Sequence, residues 1–166
     1  MSSTVKPLGG RVGIVGTGSR AAMFVRGIVE RPESEVVAIC EPNKVRAAYY
    51  NDLLQELGAK SVPVYQPDAF KEMLEKERVE TVVVTCIDAL HDLYIVPALE
   101  AGGEQDTSVN KQIAADEYQV RVLTEKPMTT DIEKCRRILN TVNRTANHLT
   151  VTFNYRLVRC PIRSAS

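Results

Sequence analysis

At 166 residues the chain is long enough to bury a core and fits one domain better than two, with the 44% hydrophobic and 25% charged residues of an ordinary globular protein. Its 21 basic and 21 acidic residues leave no net field to hold DNA or RNA, so no nucleic-acid partner is expected. The longest apolar runs, such as residues 82–84 and 95–99, are far shorter than a bilayer-spanning helix, and the first ten residues lack the apolar stretch of a secretory signal; a cytoplasmic protein with no membrane partner is expected.

In chain order, short apolar runs that suit buried strands alternate with longer helix-like stretches. That is the pattern of repeated β-α units and of a parallel sheet covered on both faces, a doubly wound α/β fold. The first strand is expected over residues 11–15, then a glycine turn and a helix over 20–30 that stops near Arg31 and Pro32. Residues 35–40 read as the second strand. Residues 44–57 place Val45, Ala48, Tyr49, Leu53 and Leu57 at helical spacing, and Gly58 supplies a stop. A short third strand over 62–65 precedes Pro67 and Asp68, which open a helix whose core face is Phe70, Met73 and Leu74.

Residues 81–86 form an uninterrupted run rich in β-branched side chains, as a central strand buried on both faces requires, and 88–101 read as the next helix. Strand five is expected over 120–124, an amphipathic helix over 131–142 capped by Thr129, Thr130 or Asp131, and strand six over 149–153. Cysteines at 40, 86, 135 and 160 form no C-x-x-C pair, and only His91 and His148 could join them, so no metal site is expected. Cys40 and Cys86 end apolar runs, where a free cysteine behaves as a small hydrophobe.

The chemistry begins at Gly16-Thr17-Gly18-Ser19-Arg20-Ala21, a G-x-G-x-x-A turn that follows one predicted strand and opens a predicted helix. Gly16 permits the tight turn, Gly18 lets a diphosphate approach the backbone, and the helix start offers amide groups to the anion. Ala21 allows the helix to pack closely on the strand. The competing reading is a glycine turn of purely structural purpose. Glu41 ends the second strand, 23 residues beyond Gly18, where a carboxylate can accept hydrogen bonds from an adenosine ribose. That position favours NAD over NADP, because a 2′-phosphate would be repelled unless Arg20 or Lys44 offset the charge. Read without a cofactor, Glu41 is a helix-capping or solvated glutamate.

At this point the chain resembles the glucose-fructose oxidoreductase, inositol dehydrogenase and MocA family (Gfo/Idh/MocA). The resemblance rests on VGIVGTGSRA at residues 12–21, TVVVTCIDALH at 81–91, ALEAG at 98–102 and VLTEKPMTT at 122–130, in matching order from about residue 11 to residue 156. It implies a Rossmann domain and an NAD(P)-dependent dehydrogenase that moves hydride to or from a sugar, polyol or related hydroxy or carbonyl compound. It further implies that Lys126, in the Glu-Lys-Pro tripeptide, lies beside nicotinamide and substrate and polarises the substrate or transfers its proton. Glu125 would orient Lys126 or meet the cofactor ribose, and Pro127 would shape the turn. Cofactor contacts are also implied at Thr85, Cys86 and His91, while Ile87 and Asp88 depart from the family's usual residues there. His91 has a plainer reading as a helix-start histidine bonded to local backbone. Arg156, in Asn154-Tyr155-Arg156, would line the site.

By the same resemblance the Rossmann domain spans 11–156, between an N-terminal tail of residues 1–10 and a divergent tail of 157–166. Residues 103–119 are longer and more polar than the family's usual connection and hold a short helix candidate around 110–118. A surface excursion is the favoured reading of them, a lid over the cofactor the other. Family members continue for roughly another 150 to 200 residues into a second α/β domain. This chain ends at Ser166, which reads as a truncated gene, an altered splice or a fragment, and oligomers are expected only where the second domain exists. The alternative functions are a non-catalytic dinucleotide-binding module, and a Rossmann protein for S-adenosylmethionine or another nucleotide, which Glu-Lys-Pro disfavours.

Overall fold

A computed structural model of the chain describes residues 10–101, 120–145 and 147–152. The expectations for the two tails, the 103–119 segment and Arg156 fall outside those residues. Six strands, β1 (Gly10–Val15), β2 (Ser34–Cys40), β3 (Val64–Tyr65), β4 (Thr81–Val84), β5 (Arg121–Glu125) and β6 (Leu149–Thr152), form one sheet in the order β3-β2-β1-β4-β5-β6. Every neighbouring pair is parallel. The helices are α1 (Ala21–Val29), α2 (Lys44–Glu56), α3 (Phe70–Lys76), α4 (His91–Ala101) and α5 (Ile132–Thr145). A parallel neighbour cannot be reached by a hairpin, so each crossover carries the chain over a face of the sheet.

Alternation along the central strands divides the core in two. Val15, Val82 and Val84 point to one face and pack with Met73, Ile95, Leu99 and Ile138 of α3, α4 and α5. Val12, Ile14 and Val83 point to the other and pack with Val25 of α1 and Leu53 and Leu54 of α2. Both sides of β1 from Val12 onward and of β4 are therefore dry, which is why residues 12–15 and 82–84 are apolar instead of alternating with polar residues. The chain winds outward from β1 to β3 and then returns to place β4 against the other side of β1. At that reversal two loops leave the carboxyl ends of adjacent strands in opposite directions, and a crevice opens between them.

Several expectations are corrected at the edges of elements. The third strand keeps two residues of the four expected, β4 stops at Val84 so that Thr85 and Cys86 belong to the following loop, and α5 runs on to Thr145. Of the three candidate caps for α5, Asp131 fills the place, its Oδ1 accepting from the Lys134 amide at 2.9 Å, while Thr129 Oγ1 accepts from the Asp131 amide at 3.2 Å. Among the described residues no helix is long and apolar enough to cross a membrane.

The buried face of α2 is the larger correction. Ala47, Tyr50, Leu53 and Leu54 face the core, whereas Val45 is 79% exposed and Tyr49 58% exposed. Asn43 sets the phase of this helix by accepting, at Oδ1, the amides of Val45 and Arg46 at 3.0 and 3.1 Å. With the start pinned there, small Ala47 lies against the sheet, and Tyr50 gains a polar partner for its hydroxyl at Gly18. Leu54→Ala is expected to lower unfolding free energy by about 2–5 kcal/mol and Val45→Ala by less than about 0.5 kcal/mol. Urea denaturation of the two variants checks this, and the reverse ranking would return α2 to the face expected from the sequence.

Candidate functional site

The turn after β1 and the loop after β4 meet at backbone distance. Gly16 has φ +78°, and a Cβ built there would lie 2.6 Å from both Cα and N of Cys86, so no other residue fits without moving main chain. The contact is held by Thr85, whose amide donates to Val15 O at 2.8 Å and whose hydroxyl donates to Gly16 O at 2.7 Å. Gly18 is different: a Cβ there would meet only Thr85 O, at 3.8 Å. Among the described residues nothing demands glycine at 18.

Ser19 and Arg20 follow on the exposed rim, and Ala21 is buried under α1. The first turn of α1 has neither an acidic residue nor a side-chain cap, whereas α2 and α5 are capped by Asn43 and Asp131. An uncapped helix start beside an open glycine is suited to an anion. Tyr50 reaches across from α2 to steady this turn, donating to Gly18 O at 2.5 Å. Burial pushes its phenol up, which keeps it a donor at neutral pH.

Glu41, just past β2, is 1% exposed, and its carboxylate is the hub of this edge. Its Oε2 accepts the Thr17 amide and the Thr17 hydroxyl, each at 2.8 Å. Its Oε1 accepts the Asn43 amide and Nη2 of Arg46, again at 2.8 Å each. Burial by itself would raise this carboxyl, but the Arg46 guanidinium and the Thr17 and Asn43 donors outweigh it and hold the group below the ordinary 4.5. Glu41 is thus neither a solvated glutamate nor a helix cap: it is an ionised, buried tie between the glycine turn and α2.

Across the crevice β5 ends in Glu125, which is buried and accepts the Thr152 hydroxyl of β6 at 3.1 Å. Lys126 follows on the surface, joined to Pro127 by a cis peptide bond. The imidazole of His91 at the start of α4 is 0% exposed. Its Nε2 lies 3.1 Å from Cys86 O, and its Nδ1 lies 3.1 Å from Pro127 O and 3.3 Å from both Met128 O and Thr124 Oγ1. The ring thus lies between the loop after β4 and the Glu-Lys-Pro turn, beneath the surface that a ligand would touch, where a neutral imidazole can donate to Cys86 O through Nε2 or to a carbonyl of the turn through Nδ1. Cys86 and Cys40 are no nucleophiles, because burial above all pushes both thiols up to about 12.

The structure thus gathers Gly16, Thr17, Gly18, Glu41, Thr85, Cys86, Glu125 and Lys126 at the carboxyl ends of β1, β2, β4 and β5, with His91 underneath. Sequence reasoning missed Asn43, Arg46 and Tyr50. Arg46 had one legible signal, its place in the first turn of a helix five residues after an acid. Among the described residues no group of three or more His, Cys, Asp or Glu side chains could hold a metal. A shallow groove of about 610 Å³ lies elsewhere, between α4 and α5, and its Arg136, Arg137 and Arg144 are already paired with Glu133, Asp92 and Glu100.

A family model described as "Oxidoreductase family, NAD-binding Rossmann fold" matches residues 10–153. The oxidoreductase YteT of Bacillus subtilis is 30% identical over 144 residues, which cover 85% of this chain and 29% of the relative. Inositol 2-dehydrogenase of Corynebacterium glutamicum is 29% identical over 131 residues, 78% of this chain and 32% of that protein. Among solved structures, scyllo-inositol dehydrogenase from Lactobacillus casei with bound NAD(H) and scyllo-inositol superimposes with a TM-score of 0.64 at 20% identity, over 86% of this chain and 36% of that one. The chain spans about a third of the length of these proteins. A family match of that extent, over a sheet that reverses between β1 and β4, makes this chain a member of the Gfo/Idh/MocA oxidoreductases, a family whose Rossmann fold binds NAD.

Proposed function

We propose that this chain forms the cofactor-binding part of an NAD-dependent dehydrogenase acting on a polyol, sugar or related hydroxy or carbonyl compound, with Lys126 as its catalytic residue. The observation that carries the reading is the contrast between the two glycines. Gly16 is explained by the protein's own packing, while among the described residues only Thr85 O, at ordinary contact distance, would meet a Cβ on Gly18, beside the start of α1 where a diphosphate approaching the backbone would need that room. The diphosphate would lie over Gly18, Ser19 and Arg20, and the adenosine ribose would come to Glu41. The nicotinamide would reach the loop of Thr85 and Cys86 and the turn of Glu125 and Lys126.

When bound, the nicotinamide supplies or accepts the hydride. The work left to the chain is electrostatic and positional. The Lys126 ammonium, on an exposed turn, can donate its proton to the oxygen of a reacting carbonyl, and the neutral amine so formed can take the proton of the substrate hydroxyl in the reverse direction. Glu125 is held by Thr152 and fixes the turn from its buried side. We assign His91 to positioning instead of direct cofactor contact, since its ring is fully buried and both nitrogens face protein atoms. The polyol preference draws on the likeness to inositol 2-dehydrogenase.

Calorimetry with NAD and NADH tests the binding step. Gly18→Val is expected to weaken binding about tenfold or more while leaving the unfolding midpoint nearly unchanged. Gly16→Ala is expected to destabilise the fold by roughly 2–4 kcal/mol, because its Cβ meets backbone and its φ is positive. If Gly18→Val binds NAD as the wild type does, the diphosphate does not lie there. Lys126→Ala is expected to lower polyol-dependent NAD reduction by about 10²–10⁴-fold and to affect NAD binding far less; equal turnover in both proteins would remove Lys126 from the chemistry.

Acid titration tests the Glu41 tie. Its folded-state carboxyl sits below the unfolded value, so its contribution is complete above about pH 4.5 and is lost as pH falls through the folded value. Between pH 6 and pH 3 the wild type is expected to lose more stability in urea than Glu41→Gln does. Parallel loss in the two proteins would mean that the carboxylate is not stabilised in the fold.

A further inference from the structure

Within the glycine turn, Gly16 N donates to Cys40 O at 2.9 Å, Thr17 N to Glu41 Oε2 at 2.8 Å and Ala21 N to Gly18 O at 3.1 Å. No described residue accepts from the amides of Gly18, Ser19 or Arg20. A trans peptide is planar, so the carbonyl of one residue and the N–H of the next point opposite ways. The peptide between Gly18 and Ser19 is trans, the cis bond of the described residues being Lys126–Pro127. Whatever holds Gly18 O therefore aims the Ser19 N–H. Two donors hold it: the Ala21 amide, which belongs to the same turn and moves with it, and the Tyr50 hydroxyl at 2.5 Å, which reaches in from α2. The tyrosine has little room to swing. It is buried together with Ala47, Leu53 and Leu54 of the same helix, and its ring meets that of Tyr49 edge-on with 5.5 Å between centroids.

We propose that Tyr50 is a positioning residue for the diphosphate of a dinucleotide: by holding Gly18 O toward α2, its hydroxyl keeps the Ser19 amide pointing the other way, toward the ligand. The proposal rests on the dinucleotide-binding reading above. Ser19 is exposed, so an N–H aimed away from Tyr50 is accessible to an anion at the start of α1. Gly18 makes such a hold necessary. Without a Cβ it rotates more freely than any other residue, and the peptide that follows it is the easiest of the turn to flip. Flipped, that peptide would present a carbonyl oxygen to the diphosphate in place of an N–H. The hydroxyl opposes the flip, because releasing Gly18 O would leave a buried phenol without its partner. The start of α2 thus bears on the site twice, through Asn43 N on Glu41 and through Tyr50 on the glycine turn.

The test is titration of the whole chain with NAD, by calorimetry on the wild type, Tyr50→Phe and Leu54→Val, and by amide NMR on the wild type and Tyr50→Phe. Leu54→Val disturbs the same buried face of α2 without touching the turn, so it controls for loosened packing. Tyr50→Phe is expected to bind NAD about three- to tenfold more weakly, as the loss of one hydrogen bond implies, and Leu54→Val to bind as the wild type does. The Ser19 amide proton of the wild type is expected to move downfield at saturation with NAD, and that of Tyr50→Phe to move less. Unchanged affinity in Tyr50→Phe overturns the proposal, and so does an equal loss in Leu54→Val, which would mean that α2 packing alone matters. A Ser19 proton that stays in place while the wild type binds NAD overturns it too and leaves the binding site intact. Wild type that does not bind NAD overturns the binding reading and this inference with it.

Discussion

Everything at the working edge of this sheet depends on two backbones touching. Where Gly16 lies on Cys86, the turn after β1 and the loop after β4 come too close to admit a side chain, and the space between their diverging paths becomes the crevice. The contact requires a residue without a side chain, in a conformation that L-residues disfavour, and Thr85 locks it with two hydrogen bonds to β1. From that point the glycine turn has a fixed height above the sheet, α1 starts where it must, and the open side of Gly18 faces outward. A sheet of the same order with a looser crossing would have the elements and lack the cleft.

Burying Glu41 is the second constraint, and it runs against ordinary partition. An ionised carboxylate removed from water is heavily penalised unless fixed dipoles and a cation replace the solvent. Here the replacement is built from both neighbouring elements: the amide and hydroxyl of Thr17 from the glycine turn, the amide of Asn43 from the start of α2, and the guanidinium of Arg46 one turn later. Asn43 therefore acts twice, capping α2 with its side chain and holding Glu41 with its main chain. The charge at the end of β2 is preorganised before any ligand comes.

Much of this was legible in the sequence, for definable reasons. Buried parallel strands leave apolar runs and the turn after β1 leaves Gly16 and Gly18, so a parallel sheet with a glycine turn at the carboxyl end of its first strand could be expected from the residues, while Lys126 was expected only through the family resemblance that Glu-Lys-Pro carries. What failed depends on relations that spacing does not encode. Residues 44–57 carry apolar side chains on two sides of a helix, and the choice between them is made by the Asn43 cap and by the partner waiting for the Tyr50 hydroxyl. His91 was readable as a helix-start histidine against local backbone, as its contact with Cys86 O five residues back bears out, but its contact with the Glu-Lys-Pro turn spans 36 residues and leaves no mark in spacing. Arg46 was overlooked since an ion pair to a buried acid looks, in a sequence, like any surface arginine.

The buried imidazole gives the molecule a mechanical property. Cys86 and Pro127 belong to loops that leave different strands, yet a single flat ring is packed between the carbonyls of both. The ring is rigid and fully buried, so neither the floor of the crevice on the β4 side nor the turn that carries Lys126 can close on the other without displacing it.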